Sequence, residues 1–264
     1  MSIFIALLLG LVQGLCEFLP VSSSGHLVLL NNLFGIEEGA LFFAILLHVG
    51  TLIALFAVYW REIWAMLRRP FQRKVGMLLI ACIPAGVMAA LFNDFFTGTY
   101  SGVYLGFGFL LTAVILLFAQ YKRPGRTTME TMGVMDALVI GFMQGVAILP
   151  GVSRSGSTIA GALFSGLKKK DAADFSFLLS IPAILGSVVF EVPDLLEKGV
   201  GDIDVAAVIV GVTAAALFGY FAIKLMLRVV TGKKLTPFAV YVGILGLLVL
   251  FDQFVTNAFF ARPF

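Results

Sequence analysis

Two short polar segments interrupt an otherwise apolar chain, and both carry side chains that can act on a phosphate group. The first, QGLCEFLPVSSSGH, spans residues 13–26 and combines a carboxylate, three consecutive serines and a histidine. The second, PGVSRSGST, spans residues 150–158 and places an arginine between two serines. A neighbouring base can activate a serine hydroxyl, and a guanidinium can hold two phosphate oxygens at once. Together the two segments predict phosphoryl chemistry.

The two segments are copies of one pattern at an offset of 131 residues. Identical pairs are Gly10/Gly141, Gln13/Gln144, Gly14/Gly145, Val21/Val152, Ser22/Ser153, Ser24/Ser155 and Gly25/Gly156. The copies differ where chemistry is expected, at Glu17/Ile148, Ser23/Arg154 and His26/Ser157. This divergence predicts a single asymmetric site to which each copy contributes different groups.

The composition assigns the chain to the membrane. Of its 264 residues, 60% are hydrophobic and 12% are charged, whereas soluble domains carry about 25% charged residues. The mean hydropathy is +1.05. These values exclude a soluble domain, and we expect no nucleic-acid partner. Cys16 and Cys82 lie in apolar runs without metal-ligand spacing, so we expect them to be small buried hydrophobes.

The apolar stretches predict an all-α polytopic membrane protein, because a spanning helix needs about 20 apolar residues. The six predicted spans are Leu41–Trp60, Val75–Phe92, Val103–Tyr121, Phe175–Phe190, Val205–Ile223 and Thr236–Phe251. Two further regions, Ile3–Phe34 and Val134–Leu167, are too long for one span, and a cluster of Pro, Ser and Gly breaks each in the middle. We interpret them as re-entrant hairpins, whose non-helical tips must be buried in protein.

The positions of lysine and arginine predict the orientation. If Leu41–Trp60 runs inward, fifteen of the 18 basic residues lie on the cytoplasmic side, in the segments 61–74, 122–126, 168–170 and 224–234. Lys198 and Arg262 fall outside, and Arg154 lies within the second hairpin. The positive-inside rule favours this topology, since a hairpin that crossed the membrane fully would reverse the later basic loops.

The repeat predicts one membrane domain, 1–264, with repeat one at about 1–130 and repeat two at about 131–264. Each copy holds one hairpin and three spans, and an odd number of crossings inverts the second copy relative to the first. The first hairpin would then enter from outside and the second from the cytoplasm. Gly10 and Gly14, and likewise Gly141 and Gly145, form small-xxx-small pairs, which predict close helix packing.

Inverted hairpins bring their tips together, and the start of each second half-helix presents free N–H groups to an anion. An unpaired charge at bilayer depth costs about 2.5–3.5 kcal/mol, so the arginine of the second tip requires an anionic partner. The candidate catalytic residues are Glu17, Ser23, His26 and Arg154. The candidate phosphate-binding residues are Gln13, Ser22, Ser24, Gly25, Ser153, Ser155, Gly156 and Thr158.

Three assignments of the nucleophile fit the sequence. Ser23 precedes His26 by three residues, a helical spacing at which the imidazole can activate the hydroxyl. Alternatively, His26 attacks and Ser23 only positions phosphate, or a water activated at Glu17 attacks directly. His48, in a predicted span, either faces this site or is a hydrogen-bonded interior histidine.

At these residues the chain resembles a known family. QGLCEFLPVSSSGH and PGVSRSGST are similar to the paired signatures of undecaprenyl-diphosphate phosphatases, also called bacitracin-resistance proteins. The resemblance implies hydrolysis of a polyprenyl diphosphate to its monophosphate in the bacterial cytoplasmic membrane, with Mg²⁺ or Ca²⁺ as cofactor. The family's motif (E/Q)-x-x-x-E corresponds here to Gln13 and Glu17, so only Glu17 can act as a carboxylate and candidate metal ligand.

Two other functions remain open at this point. An inverted-repeat membrane protein with broken helices can be a transporter or flippase of polyprenyl phosphate. A non-catalytic protein that binds the carrier would also retain a phosphate site. The polar entrance is expected to open outward, because the first hairpin carries the carboxylate, serine and histidine, and a homodimer is one compatible assembly.

Overall fold

A computed structural model of the protein describes residues 2–36, 39–99, 101–123, 125–198, 204–232 and 234–260. Over these residues the chain forms helices and no strand, with one isolated bridge between Thr127 and Leu167. The helices are α1 (Ile3–Phe18), α2 (Ser23–Phe34), α3 (Ala40–Arg68), α4 (Arg73–Leu91), α5 (Asn93–Thr99), α6 (Leu105–Tyr121), α7 (Val134–Val146), α8 (Arg154–Phe164), α9 (Lys169–Lys198), α10 (Val205–Gly232) and α11 (Thr236–Phe251). A π-helical turn, Asp252–Thr256, continues α11.

Among the described residues, five helices are long and apolar enough to cross a membrane, which is consistent with a polytopic membrane protein. They comprise Phe42–Arg68, Arg73–Leu91, Lys169–Val189, Val205–Gly232 and Thr236–Thr256. The remaining predicted span, Val103–Tyr121, corresponds to α6. The 17 residues of α6 extend about 26 Å at the helical rise of about 1.5 Å, slightly less than a bilayer core of about 30 Å. The predicted end of the first span at Trp60 was early, because α3 continues through a distorted turn at Tyr59 (φ −106°, ψ 20°).

Each predicted hairpin is a pair of short helices joined by a turn. In the first, α1 has 16 residues and α2 has 12, and in the second, α7 has 13 and α8 has 11. None of the four is long enough to span a bilayer alone. The breaks fall at the clusters around Pro20 and Pro150, as the sequence predicts, because proline removes a backbone donor and clashes with the preceding helical turn.

Each hairpin packs against a long helix from the other half of the chain. A Cβ atom added to Gly10 of α1 would lie 2.3 Å from the carbonyl oxygen of Gly211 in α10. A Cβ atom added to Gly141 of α7 would lie 2.2 Å from the carbonyl oxygen of Ala81 in α4. The predicted close packing of these glycines is therefore confirmed, and the two halves exchange equivalent contacts.

The basic loops gather at one end of the helix bundle. Arg73, at the start of α4, donates two hydrogen bonds to the carbonyl oxygen of Met132. The amide of Met129 donates to Asp171 of α9, and the bridge of Thr127 connects the same loop to the end of α8. This clustering agrees with the segregation of lysine and arginine in the sequence. Of the basic residues named above, Lys233 and Arg262 lie outside the described residues, as does the side chain of Lys198.

Candidate active site

A buried ion pair joins the tips of the two hairpins. Glu17, in the last turn of α1, is 6% exposed, and its Oε1 atom accepts a hydrogen bond of 2.6 Å from Nη2 of Arg154. Arg154 is the first residue of α8, so the pair connects opposite halves of the chain. A buried charge without a partner would be costly, so the ion pair is what allows both Glu17 and Arg154 to be buried.

The second oxygen of Glu17 binds the serine of the first tip. Oε2 accepts a hydrogen bond of 2.5 Å from the Ser23 hydroxyl and one of 3.0 Å from Nε2 of Gln13. The glutamine lies one helical turn before the carboxylate, at the spacing that places both side chains on one face of α1. The arrangement aligns a serine O–H with an ionised carboxylate, which can accept its proton.

Serine side chains cap both second half-helices in the same way. Ser22 accepts a hydrogen bond from the amide of Gly25 (3.2 Å), and Ser153 accepts one from the amide of Gly156 (3.1 Å). The hydroxyl of Ser24 lies 3.4 Å from that of Ser22. These caps expose the positive ends of α2 and α8 beside the Glu17 carboxylate, where an anion is favoured.

The two tips are held in direct contact. A Cβ atom added to Gly25 would lie 2.8 Å from Cα of Gly151, so only a residue without a side chain fits there. The Ser155 hydroxyl donates to the carbonyl oxygen of Leu19 at 3.0 Å, which ties the second tip to the first turn. Thr112 of α6 donates to the carbonyl of Gly151 (2.8 Å) and accepts from the amide of Ser153 (2.9 Å). The geometry therefore depends on backbone contacts between the two repeats.

Two of the predicted site residues bond elsewhere. Thr158 donates to the carbonyl oxygen of Arg154, and its hydroxyl lies 2.6 Å from that of Ser176 in α9. Both ring nitrogens of His26 are engaged, Nδ1 with the carbonyl of Ser22 (2.7 Å) and Nε2 with the hydroxyl of Tyr241 (2.8 Å). The hydrogen bond that the Ser23 hydroxyl makes is to Glu17 instead of His26.

Three further residues complete the surroundings of the site. His48 of α3 directs Nε2 to within 3.7 Å of Glu17 Oε2, while its Nδ1 donates to the carbonyl of Ala44. A histidine inside a predicted span was the signal that indicated it. Thr112 and Tyr241 were missed, because a lone hydroxyl in an apolar helix carries no motif.

Within the described part of the chain, two buried polar atoms at the site have no hydrogen-bond partner. They are Oε1 of Gln13 and Nη1 of Arg154. Among the described residues, no group of three or more His, Cys, Asp and Glu side chains forms a preformed cage for a metal ion. A hard cation is nevertheless commonly held by one carboxylate together with substrate phosphates, and the carboxylate of Glu17 beside the amide oxygen of Gln13 fits that kind of donor set.

An apolar cleft adjoins the polar cluster between the first hairpin and α3. It is lined by Leu9, Leu27, Asn31, Ile36, Ala40, Phe43, Ala44 and Leu47. Ala44 is the residue whose carbonyl holds His48, so the cleft begins next to the group facing Glu17. Its cavity volume is about 10 Å³, the space of about one water molecule, so the cleft is nearly closed in this structure.

Comparison with known proteins places this geometry in a family. The sequence profile described as Bacitracin resistance protein BacA matches residues 6–248. A protein of Carboxydothermus hydrogenoformans named Undecaprenyl-diphosphatase is 47% identical over 256 residues, covering 96% of this chain and 98% of its own length. A protein of Alkaliphilus metalliredigens named Undecaprenyl-diphosphatase is 44% identical, covering 95% of this chain and 98% of its own length. A protein of Bacillus cereus named Undecaprenyl-diphosphatase 3 is 42% identical, covering 94% of this chain and 96% of its own length. The chain belongs to the bacitracin resistance protein BacA family.

Proposed function

We propose that the protein is a membrane phosphatase that hydrolyses undecaprenyl diphosphate to the monophosphate and inorganic phosphate. This reaction recycles the lipid carrier for cell-wall synthesis and confers resistance to bacitracin. The relatives named undecaprenyl-diphosphatase support this activity. The observation that carries it is the Glu17 carboxylate, which binds Arg154 through one oxygen and Ser23 through the other.

Arg154 and the two capped helix starts bind the diphosphate. The guanidinium has one nitrogen on Glu17, and a second, Nη1, has no hydrogen-bond partner among the described residues, so it is free to donate to a phosphate oxygen. The N-termini of α2 and α8 add backbone donors and partial positive charge. These groups also stabilise the charge that accumulates on the phosphoryl oxygens during transfer.

Ser23 is the nucleophile in the proposed reaction, and Glu17 is its base. The serine Oγ attacks the terminal phosphorus, and its proton passes to Glu17 Oε2 across the existing hydrogen bond. The phosphorus–oxygen bond to the bridging oxygen breaks, and its electron pair leaves with the polyprenyl monophosphate. A water molecule then attacks the phosphoserine, which releases inorganic phosphate and restores the serine. Attack by His26, or by water at Glu17, remains an alternative that the trapped intermediate distinguishes.

A divalent cation, Mg²⁺ or Ca²⁺, is part of the proposal. Glu17 and the amide oxygen of Gln13 would hold it together with the substrate phosphates. When bound, such an ion neutralises negative charge on the diphosphate. The protein groups retain their own roles, since Arg154 orients the phosphate and Ser23 supplies the attacking oxygen.

The apolar cleft supports a lipid substrate. Its walls, including Leu27 and Leu47, are aliphatic or aromatic except for Asn31. The first isoprene units of the substrate would contact this apolar lining, and the cleft would have to widen to admit them, with the rest of the chain in the bilayer. The proposed ligand therefore consists of an anionic head at the hairpin tips and an apolar tail that leaves sideways between α2 and α3.

We further propose that the chain forms one domain in the bacterial cytoplasmic membrane. Six spans, α3, α4, α6, α9, α10 and α11, would accompany two re-entrant hairpins in an inverted repeat. The exchange of equivalent contacts between the two halves supports the repeat, and the gathered basic loops support a cytoplasmic location for that end. The substrate would then enter from the outer leaflet. A homodimer is compatible with this arrangement.

Phosphate release in detergent tests the activity. Purified protein with polyprenyl diphosphate and Mg²⁺ should release inorganic phosphate with turnover. Detergent removes the compartments that a transporter requires, so turnover there identifies an enzyme. A protein that binds the lipid and releases no phosphate would contradict the proposal and favour the transporter or the non-catalytic binder.

Cysteine labelling tests the topology. In a variant without Cys16 and Cys82, a single cysteine at Glu38 or Lys198 should react with an impermeant thiol reagent from outside. Cysteines at Arg69 or Lys169 should remain unlabelled. External labelling at Lys169 would overturn the orientation of the second hairpin. Hydrolysis by oriented proteoliposomes of a short-chain substrate confined to the outside tests access, and turnover only from the cytoplasmic side would contradict it.

A further inference from the structure

Three neighbouring residues, Ser22, Tyr241 and Phe109, contact the imidazole ring of His26. Its Nδ1 atom lies 2.7 Å from the carbonyl oxygen of Ser22, and its Nε2 atom lies 2.8 Å from the hydroxyl of Tyr241. The tyrosine ring stacks on it with a centroid distance of 5.7 Å and an interplanar angle of 14°, and Phe109 contacts it edge-on at 5.4 Å. The ring is 7% exposed.

These contacts determine which nitrogen of the neutral ring carries the proton. A backbone carbonyl can only accept, so Nδ1 of His26 must donate to Ser22. The lone pair of the neutral ring is then on Nε2, where it accepts the hydrogen of the Tyr241 hydroxyl. This second hydrogen bond is therefore what keeps the basic nitrogen in a defined direction.

Tyr241 has no structural need for a hydroxyl other than this contact. It lies in α11, where the only other hydroxyl belongs to Thr236 at the first position, and its side chain is 48% exposed on the surface of the bundle. A phenylalanine would fill the same space on an apolar helix, whereas a hydroxyl in this environment requires a partner. Its partner is His26, in the first hairpin of the other repeat.

We propose that Tyr241 is a positioning residue of the active site, which acts by holding Nε2 of the His26 ring in one direction through the hydrogen bond of its hydroxyl. The Ser23 hydroxyl bonds Glu17, and the imidazole is a separate proton acceptor near the hairpin tip, whose Nε2 lone pair is directed by the tyrosine. No contact of Tyr241 with Glu17 or Ser23 is needed for this role. The inference rests on the proposed phosphatase function and assigns a role to a residue outside both polar segments.

A double-mutant cycle separates this role from a general effect on structure. Tyr241→Phe keeps the stacked ring and removes the hydroxyl, so we expect kcat to fall by about fivefold, the equivalent of one neutral hydrogen bond, with KM nearly unchanged. In a His26→Ala background the same substitution should have no further effect. Tyr220→Phe is the matched control, since that hydroxyl bonds Lys224 on the exposed side of α10, and it should leave kcat unchanged. An equal fall of kcat in both backgrounds would overturn the proposal.

Nitrogen-15 NMR of the histidine rings gives a readout that needs no turnover. The chain has only two histidines, so selective labelling yields two ring systems, and a His48→Gln sample identifies the signals of His26. The wild-type protein should show His26 as a single Nδ1–H tautomer, and Tyr241→Phe should keep that tautomer and shift the Nε2 resonance towards the position of a nitrogen that accepts no hydrogen bond. A wild-type ring protonated at Nε2, or an unchanged spectrum in the variant, would overturn the proposal. If wild-type protein releases no phosphate, the proposed function fails while this spectrum still tests the tyrosine contact.

Discussion

The two hairpins share a backbone design and differ in what they supply. Each has a serine cap that accepts from a glycine amide, and each places a second serine hydroxyl near the cap, at 3.4 Å in the first hairpin and 3.3 Å in the second. The cap of the first, Ser22, has φ +70°, which is rare for a residue with a side chain, whereas Ser153 has φ −73°. The backbone strain therefore lies in the hairpin that carries the proposed nucleophile.

The side chains at matched positions explain why a single site forms. Glu17 of the first hairpin meets Arg154 of the second, while the repeat counterpart of Glu17 is Ile148. Two identical hairpins would bring together two carboxylates or two arginines, and like charges at this depth repel. Divergence of the copies thus gives one site with a carboxylate, a serine hydroxyl and a guanidinium, instead of a symmetric pair of tips.

The largest effect is expected from removing the charge of Glu17. Glu17→Gln keeps the shape and removes both the base for Ser23 and the partner of Arg154, so we expect kcat to fall by about 10²–10⁴-fold. Released phosphate measures the loss. Activity within a few-fold of wild type would show that the carboxylate is not the base.

A smaller loss is expected from changing the shape of the cation. Arg154→Lys keeps the charge and removes the planar fork, so phosphate release should fall by on the order of 10²-fold. Arg73→Lys is the matched control, because Arg73 bonds the carbonyl of Met132 at the basic end of the bundle, away from the hairpin tips. Equal losses in the two variants would indicate a general effect on folding.

The two glutamines at matched positions, Gln13 and Gln144, test the difference between the two hairpins. Gln13→Leu removes a hydrogen bond to the Glu17 carboxylate, so we expect a loss of about tenfold, the low end of what a hydrogen bond to a charged group, worth about 1.5–3 kcal/mol, corresponds to. Gln144→Leu changes the same residue type in the hairpin that lacks a carboxylate, and activity should remain within about threefold of wild type. A larger loss from Gln144→Leu would show that the hairpins are functionally closer than proposed.

The smallest effect concerns the caps, which the hairpins share. Ser153→Ala removes the acceptor for the Gly156 amide and should lower stability by about 1 kcal/mol. Ser22→Ala should lower the stability by no more than Ser153→Ala does. Alanine loses the same cap, and the backbone strain at position 22 is present in the wild type as well as in the variant. Thermal unfolding in detergent measures both variants, and a cost several times larger for Ser22→Ala would show that the strained turn depends on the hydroxyl.

Much of the architecture could be predicted because membrane helices follow from apolar length and charge placement. The hairpin breaks coincide with Pro20 and Pro150, and the small-xxx-small glycines pack as expected. The length of α6 and the extension of α3 beyond Trp60 could not be read from hydropathy, because helix ends depend on caps and packing outside the apolar run.

The sequence predicted that Arg154 needs an anionic partner, and it carried no signal for the neutral hydroxyl that bonds His26. The pairing of Glu17 with Arg154 follows from the cost of an isolated charge in the bilayer. The partner of His26 could not be foreseen, because Tyr241 is 215 residues away and no rule of spacing relates them. Helical spacing indicated Ser23, which lies three residues before His26 but bonds Glu17 across the turn of the hairpin.

The identity of the trapped phosphoenzyme tests the central claim most directly, namely that one carboxylate activates the serine of the first tip. Substrate labelled in the terminal phosphate, quenched rapidly in acid and mapped by peptide, should leave an acid-stable, alkali-labile label on Ser23. Ser23→Ala should form no adduct and release no phosphate. An acid-labile label on His26, or full activity in Ser23→Ala, would contradict the account.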